Sequence, residues 1–436
     1  MKRFNKIITK HLTPLFLSKT AMNTYMIFVG NGLSAFLAFV FTVTLVRNVS
    51  LADFGYFSAL LSFMMLVTDV SDTGIGSTLS AFLPPLEDDK KRFFSILKAA
   101  FILQTIIALV VTTVLFIFSY AIANILFHTV KLDLLVKITT LAIFFNIMGT
   151  FFTYVLSARQ KFLQVAFLSA FSSLMRVVLL VCLILFSMVF LQNVLWIHVF
   201  YLLITAVIAF IFVDVEFLKF KKIPGELRKF VSFSYFIGIA RGLTAIASRL
   251  DVLMLIAMTN PVQAGIYSTA SRIISVYPLL TGSFSTVIAP RLSAATDHKS
   301  INKYIYKVIF ATFGIMSTNV FLIIFARPFM ITLFGTDKGG PAVTVLQLLL
   351  VAMMFFVGSI PSVALSIYYL RKPFIITFNS ILQLIIVAVG NLVFIPKYGR
   401  LGPAVSLILA FGITLLLTSC MSFYYYAKTG NEKKSI

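Results

Sequence analysis

The chain has 436 residues, of which 60% are hydrophobic and 11% are charged, and its formal net charge is +22. A soluble domain cannot bury that much apolar surface, and the long apolar segments lack the alternation of barrel strands, so the composition predicts an all-α polytopic membrane protein. The positive charge does not predict a nucleic-acid partner, because basic residues collect in the cytoplasmic loops of membrane proteins.

The apolar segments predict twelve transmembrane helices. A helix crosses about 30 Å of hydrocarbon with about 20 residues, and twelve stretches reach that length. Their short connections indicate that neighbouring spans are antiparallel. The predicted spans are 22–46, 54–84, 95–120, 134–157, 162–186, 193–213, 231–258, 262–288, 304–333, 341–368, 373–395 and 402–427.

The polar segments divide the chain. We predict a cytoplasmic lead-in at 1–21, an N-lobe of six spans at 22–213, a cytoplasmic loop at 214–230, a C-lobe of six spans at 231–427 and a cytoplasmic tail at 428–436. Segments assigned to the cytoplasmic side carry 25 lysines and arginines, against 7 in the outside loops. Because such residues are retained in the cytoplasm, this bias predicts that both termini are inside.

The two halves repeat at an offset of about 210 residues. Residues 32–35 (GLSA) align with 242–245 (GLTA), and 54–58 (FGYFS) align with 264–268 (AGIYS). Each half holds an even number of spans, so the halves should be related by a pseudo-twofold axis along the membrane normal. In transporters built this way the substrate binds in a cleft between the halves.

Apart from Lys98, Lys137, Lys307 and Arg327, which are counted with the neighbouring loops, seven charged residues lie inside the predicted spans. A charge near the bilayer centre costs at least about 2.5–3.5 kcal/mol, so each one needs a reason. In the repeat alignment the N-terminal equivalents of the charges at 241, 249, 251 and 272 are uncharged, which favours a ligand role over a shared structural role. The seven residues are Arg176, Arg241, Arg249, Arg272, Asp69, Asp72 and Asp251.

These charges could pair with one another or act on a ligand or coupling ion. Asp251 and Arg272 are at similar depth on either side of a turn, and Asp69 and Arg176 both lie near the centres of their spans, so each pair is feasible. Asp72 has no predicted partner and precedes a glycine-containing break, which makes it the first candidate for an ion-coupling site. No cofactor is predicted, and the cysteines and histidines form no metal-binding pattern.

Three motifs carry a resemblance to a known superfamily. They are 51–58 (LADFGYFS), 249–255 (RLDVLML) followed by 265–267 (GIY), and 157–162 (SARQKF). Together with the twelve spans and the two parallel repeats, they resemble the multidrug/oligosaccharidyl-lipid/polysaccharide exporter superfamily, and within it the Wzx-type flippases. The resemblance implies a MATE-like fold and alternating access.

The resemblance also implies the cargo and the site. The cargo would be an undecaprenyl-diphosphate-linked oligosaccharide, such as the O-antigen unit of lipopolysaccharide, flipped across the bacterial inner membrane alongside glycosyltransferases and a polymerase. Members line the cleft with cations, and by position Arg241, Arg249 and Arg272 would contact the diphosphate. A drug:cation antiporter of the same superfamily is the alternative. A membrane-embedded glycosyltransferase or polymerase is a third reading, but the short loops cluster no carboxylates, so no enzyme is predicted.

Overall fold

The computed structural model describes residues 19–86, 89–213, 215–220, 224–293, 298–372 and 374–432. Within these residues the chain is helical and contains no strand. The helices are α1 (Lys19–Asn48), α2 (Leu51–Ser71), α3 (Ile75–Phe82), α4 (Lys90–Ile117), α5 (Ser119–Phe127), α6 (Asp133–Ala158), α7 (Phe162–Leu185), α8 (Leu191–Phe212), α9 (Pro224–Met258), α10 (Pro261–Ile274), α11 (Tyr277–Ser293), α12 (His298–Ile324), α13 (Ala326–Phe334), α14 (Thr336–Gly339), α15 (Val343–Gly358), α16 (Ile360–Ala364), α17 (Phe374–Tyr398) and α18 (Gly402–Glu432).

Helices cover most of every predicted span in the part of the chain that the structure describes. In this part of the chain nine helical stretches are long and apolar enough to cross a membrane. They cover ten of the twelve predicted spans, because the stretch Phe374–Lys428 contains two of them. The other two predicted spans, 231–258 and 262–288, contain the four charges at 241, 249, 251 and 272. Charges interrupt the first, and the second is divided between α10 and α11.

The predicted segments at the ends and the middle are described only in part. Residues 1–18 of the lead-in and 433–436 of the tail lie outside the described residues, as do 214 and 221–223 of the inter-lobe loop. Helix α9 begins at Pro224 rather than at the predicted 231. Proline at the first position of a helix supplies a preset φ angle and lacks only an N–H that would have no partner there.

The second predicted span, 54–84, is broken into α2 and α3. Thr73 and Gly74 both have positive φ angles, 44° and 78°, which end α2 and let the chain restart as α3. One carboxylate oxygen of Asp72, Oδ1, accepts a hydrogen bond from the backbone N–H of Gly76 at 3.1 Å and so caps the new helix. The break that the sequence places after Asp72 is therefore confirmed.

The contacts divide the chain into two compact units, which we call unit 1 and unit 2. Unit 1 comprises 1–48, 64–125 and 129–242, and unit 2 comprises 49–63, 126–128 and 243–436. In unit 1, α1 packs on α7 and α6 packs on α4 and α8; in unit 2, α18 packs on α15 and α17, and α15 packs on α10 and α12. The predicted lobe boundaries, 22–213 and 231–427, stay a prediction.

Unit 2 contains a reciprocal contact between residues that the repeat makes equivalent. A Cβ atom on Gly55 would lie 1.8 Å from the carbonyl oxygen of Pro261, and one on Gly265 would lie 2.0 Å from the carbonyl oxygen of Leu51. Gly55 aligns with Gly265 and Leu51 with Pro261 at the 210-residue offset. Because a side chain at either glycine would strike backbone, the first turns of α2 and α10 require glycine to approach this closely.

Candidate functional site

An arginine, an aspartate and a tyrosine meet at the break between α2 and α3, all within unit 1. Arg241 of α9 donates from Nη1 to Oδ2 of Asp72 in an ion pair, and from the same nitrogen to Oη of Tyr154 in α6 at 3.2 Å. Its guanidinium also lies over the Tyr154 ring, 5.5 Å from the ring centre. We call these three residues the Asp72 cluster.

The backbone of α9 comes very close to the break. A Cβ atom on Gly238, one turn before Arg241, would lie 2.6 Å from the carbonyl of Thr73, so only glycine allows this approach. The partners in the ion pair differ in exposure, because the side chain of Asp72 is 10% exposed and that of Arg241 is 39% exposed. The guanidinium thus reaches a buried carboxylate from the accessible side.

The Asp72 cluster corrects one prediction. The sequence assigned no partner to Asp72, but its carboxylate pairs with Arg241, 169 residues away in the chain. The reason is that the break turns Asp72 toward α9, which no local spacing reveals. Asp69, one turn earlier on α2, is exposed and acts electrostatically on Tyr154.

A second acid lies in unit 2, where it is bound by a neutral group. Asp251 of α9 accepts a hydrogen bond on Oδ2 from Oη of Tyr267 in α10 at 2.5 Å, and on Oδ1 from the backbone N–H of Val252 at 2.8 Å. Tyr267 is fully buried. We call Asp251, Tyr267 and the neighbouring Arg249 the Asp251 cluster.

The sequence made an ion pair between Asp251 and Arg272 feasible, and the side chain that bonds to Asp251 in the structure is Tyr267. Tyr267 lies on the face of α10 that meets Asp251. Arg272 is five residues further along the helix, which turns its side chain about 140° away from that face. The pairing of Asp251 with Arg272 stays a prediction.

Arg249 shares α9 with Asp251 but does not hydrogen-bond to it. Its side chain is half-buried, and its Nε atom is buried with no hydrogen-bond partner among the described residues. The carboxylate of Asp251 attracts the guanidinium electrostatically without contacting it directly. A buried donor of this kind costs free energy until an acceptor reaches it.

Arg176 also differs from its predicted pairing with Asp69. Its guanidinium lies between two aromatic rings, 5.8 Å from the centre of Phe41 and 5.1 Å from that of Tyr201, and Nη2 donates to Oγ of Ser173 at 3.0 Å. Because α7 packs against α1 and α8, aromatic faces rather than α2 surround this position. The sequence missed this arrangement, since nothing in the spacing of Phe41 and Tyr201 links them to Arg176.

No group of three or more histidine, cysteine, aspartate or glutamate side chains is placed to hold a metal ion in the described part of the chain. Cys182 and Cys420 are exposed free thiols.

Solved structures share the fold of this helical membrane chain. An inward-facing multidrug resistance MATE transporter of the MOP superfamily has a TM-score of 0.75 at 12% identity, over 90% of this chain and 94% of that one. The lipid II flippase MurJ in an inward closed conformation has 0.71 at 16% identity, over 90% and 86%. A MOP superfamily transporter from Pyrococcus furiosus, described as having a binding pocket of reverse polarity, has 0.63 at 13% identity, over 93% and 94%.

The chain belongs to the polysaccharide biosynthesis protein family, whose sequence profile matches residues 20–296. No curated protein sequence matches it. The predicted all-α, MATE-like fold is confirmed by the structural relatives. Those relatives are transporters and flippases rather than enzymes, in agreement with the prediction that this chain is not an enzyme.

Proposed function

We propose that this protein flips an undecaprenyl-diphosphate-linked oligosaccharide, the repeat unit of O-antigen or a related surface polysaccharide, from the cytoplasmic to the outer leaflet of the bacterial inner membrane by alternating access. Two findings support a flippase or transporter of a lipid-linked substrate. The chain belongs to a polysaccharide biosynthesis family. Its fold is shared with a flippase named for its lipid-linked cargo, lipid II.

The observation that carries the proposal is the state of Arg249. An arginine is always charged, and its planar fork matches the oxygens of a phosphate. The nearest acid, Asp251, takes its hydrogen bonds from Tyr267 and Val252 instead. The buried Nε of Arg249 therefore still lacks an acceptor among the described residues, which a diphosphate would supply.

Arg241 would act differently from Arg249. Its charge is already matched by Asp72, but its side chain is 39% exposed. A diphosphate carries more negative charge than a carboxylate, so it can compete with Asp72 for the guanidinium. Arg272 stays a third predicted contact of the cargo. We propose that cargo binding exchanges Asp72 for phosphate at Arg241, whereas it adds a first acceptor at Arg249.

Ion coupling is proposed to act through Asp69, Asp72 or Asp251, with Asp72 the first choice. A ligand shifts a conformational equilibrium only through its different affinities for the two states, and Asp72 joins the break of α2 to α9. In proteoliposomes, Asp72→Asn should lose the dependence of transport on a proton or sodium gradient. Unchanged gradient dependence in this variant would place the coupling site elsewhere.

The test is restoration of surface polysaccharide in cells that lack the protein. Arg249→Ala and Arg241→Ala should each abolish the surface glycan while the protein still inserts, and Arg249→Lys should restore part of it, because charge survives without the fork. Arg327→Ala removes an exposed arginine from α13 and is the matched control, expected to behave as the parent. Full glycan with both alanine variants would exclude the proposed contacts.

The proposed orientation has both termini and the 214–230 loop in the cytoplasm, where glycosyltransferases would deliver the cargo, with a polymerase acting on the flipped unit outside. In a Cys182→Ser/Cys420→Ser background, the thiol introduced by Pro224→Cys should react with an impermeant thiol reagent only after the membrane is opened. Labelling of intact cells at this position would contradict the orientation.

A further inference from the structure

We propose that Arg176 is the centre of an oxyanion-binding site inside unit 1, distinct from the arginines of α9, which takes a carboxylate or phosphate group. The identification of that group as part of the cargo rests on the proposed function. The binding of an oxyanion does not.

The first observation is the charge of the site. Arg176 lies near the middle of α7, in a stretch long and apolar enough to cross a membrane. Among the described residues no carboxylate lies within ion-pair distance of its guanidinium. Because arginine keeps its proton under all ordinary conditions, the site carries a full positive charge.

The second observation is how the charge is held. Phe41 of α1 and Tyr201 of α8 both place their rings within 6 Å of the guanidinium carbon, a distance at which the negative face of an aromatic ring attracts a cation. His198 packs edge-on against both rings, with ring centres 5.7 and 5.2 Å away, and fixes them in place. The rings orient the guanidinium and match its charge only in part.

The third observation concerns hydrogen bonds. A guanidinium has five N–H donors. Nη2 uses one of them on Oγ of Ser173 at 3.0 Å, and the guanidinium also interacts with the hydroxyl of Tyr201. The Nε atom is buried and has no hydrogen-bond partner in the part of the chain that the structure describes. An oxyanion accepts two parallel bonds from the Nε edge of an arginine, so it would satisfy this donor and the charge together.

The fourth observation is a polar path from the site to the surface of unit 1. Ser173 is fully buried, and its hydroxyl bonds to the hydroxyl of Ser34 in α1 at 2.7 Å. Ser34 is half-buried, and the preceding residues Asn31, Gly32 and Leu33 are exposed. The hydroxyl pair therefore connects Arg176 with the accessible side of α1 and can bind further ligand oxygens.

Two sources could supply the oxyanion: the diphosphate of a lipid carrier and the carboxylate of an acidic sugar. The chain offers a reporter, because its single tryptophan, Trp196, lies on α8 five residues before Tyr201. Purified full-length protein is titrated with farnesyl diphosphate and with digalacturonate, while Trp196 fluorescence is followed. Farnesol and lactose, which are uncharged, serve as matched probes.

We expect at least one anionic probe to bind saturably and neither uncharged probe to do so. Arg176→Gln should weaken that binding by about ten- to a hundredfold, the usual loss for a hydrogen-bonded charged group. The affinity of Arg176→Lys should lie between that of the parent protein and that of Arg176→Gln. If the binding of farnesyl diphosphate depends on Arg176, the site is assigned to phosphate. If the binding of digalacturonate depends on Arg176, the site is assigned to an acidic sugar.

Arg241→Gln separates this inference from the proposed function. Loss of farnesyl diphosphate affinity in Arg241→Gln, with no loss of affinity for either anionic probe in a folded Arg176→Gln, would support the proposed function and overturn the Arg176 site. Retained transport in the alanine variants of Arg241 and Arg249, together with probe binding that needs Arg176, would support the Arg176 site and overturn the proposed contacts of Arg241 and Arg249. Absence of saturable binding of both anions to the parent protein would also overturn the site. If Arg176→Gln does not fold, the affinity of Arg176→Lys for the anionic probes is used instead. An affinity equal to that of the parent protein would contradict the inference.

Discussion

The Asp72 cluster and the Asp251 cluster solve the same problem in different ways. Each binds a carboxylate inside a predicted span, but Asp72 is neutralised by Arg241, whereas Asp251 is held by the uncharged hydroxyl of Tyr267 and a backbone N–H. In the Asp72 cluster the arginine is already paired with a carboxylate. The Asp251 cluster leaves Arg249 with a buried donor that has no acceptor among the described residues. An acid close in sequence therefore does not by itself neutralise an arginine inside a membrane protein.

The largest expected effect comes from Gly238, because it breaks the geometry of the Asp72 cluster. Gly238→Val should push α9 away from the carbonyl of Thr73, since even a Cβ atom would lie 2.6 Å from it. We expect a loss of about 2–4 kcal/mol of unfolding free energy, measured by denaturant titration in mixed micelles.

Gly242 is the matched control for Gly238 on the same helix. A Cβ atom there meets only the Val70 side chain, at 4.0 Å, so Gly242→Ala should leave stability unchanged or raise it by up to about 1 kcal/mol. Equal losses for the two substitutions would show that the close approach of α9 to the break is not what stabilises the cluster.

The next effect distinguishes the two tyrosines. Tyr267→Phe removes a hydrogen-bond donor from a carboxylate and should lower the free energy of unfolding, measured by the same denaturant titration, by about 1.5–3 kcal/mol, the range for hydrogen bonds to charged groups. Tyr154→Phe removes a longer contact of 3.2 Å to a half-exposed arginine and should cost about 0.5–1 kcal/mol. If Tyr154→Phe proves as costly as Tyr267→Phe, the contrast between the clusters fails.

The last comparison is between the coupling energies of the two acid–arginine pairs, beginning with Asp72 and Arg241. Because the arginine is 39% exposed, solvent screens the pair, and a double-mutant cycle of Asp72→Asn and Arg241→Gln should give about 1 kcal/mol. The same cycle for Asp251→Asn and Arg249→Gln should give less, since no direct contact joins them. A larger coupling in the second cycle would contradict the separation of Arg249 from Asp251.

The sequence predicted much of the fold, because hydropathy and breaks are local properties. It placed helices where the described residues have them and located the break after Asp72, where Gly74 tolerates a positive φ angle. It also identified seven intramembrane charges, five of which belong to the candidate sites: Asp72, Arg241, Asp251, Arg249 and Arg176. Each of them stands out against apolar neighbours.

The partners of those charges could not be predicted from the sequence. Asp72 and Arg241 are 169 residues apart, and the orientation of Asp72 depends on a turn at Thr73 whose direction the sequence does not show. For Arg176 the error was one of chemistry, because only acids were considered as partners and aromatic rings were not. Tyr267 gave a usable signal, since a tyrosine hydroxyl within an apolar span needs a hydrogen-bond partner.

Flipping in proteoliposomes measures directly whether Arg249 supplies a positive charge for a diphosphate. A fluorescent undecaprenyl-diphosphate-linked sugar is placed in both leaflets, and the fraction open to an impermeant quencher is followed over time. We expect the parent protein to make nearly all of the probe accessible, Arg249→Gln to leave only the outer-leaflet fraction accessible, and Arg249→Lys to give an intermediate fraction. Flipping by Arg249→Gln at the parental rate would show that transport of the diphosphate does not need this charge.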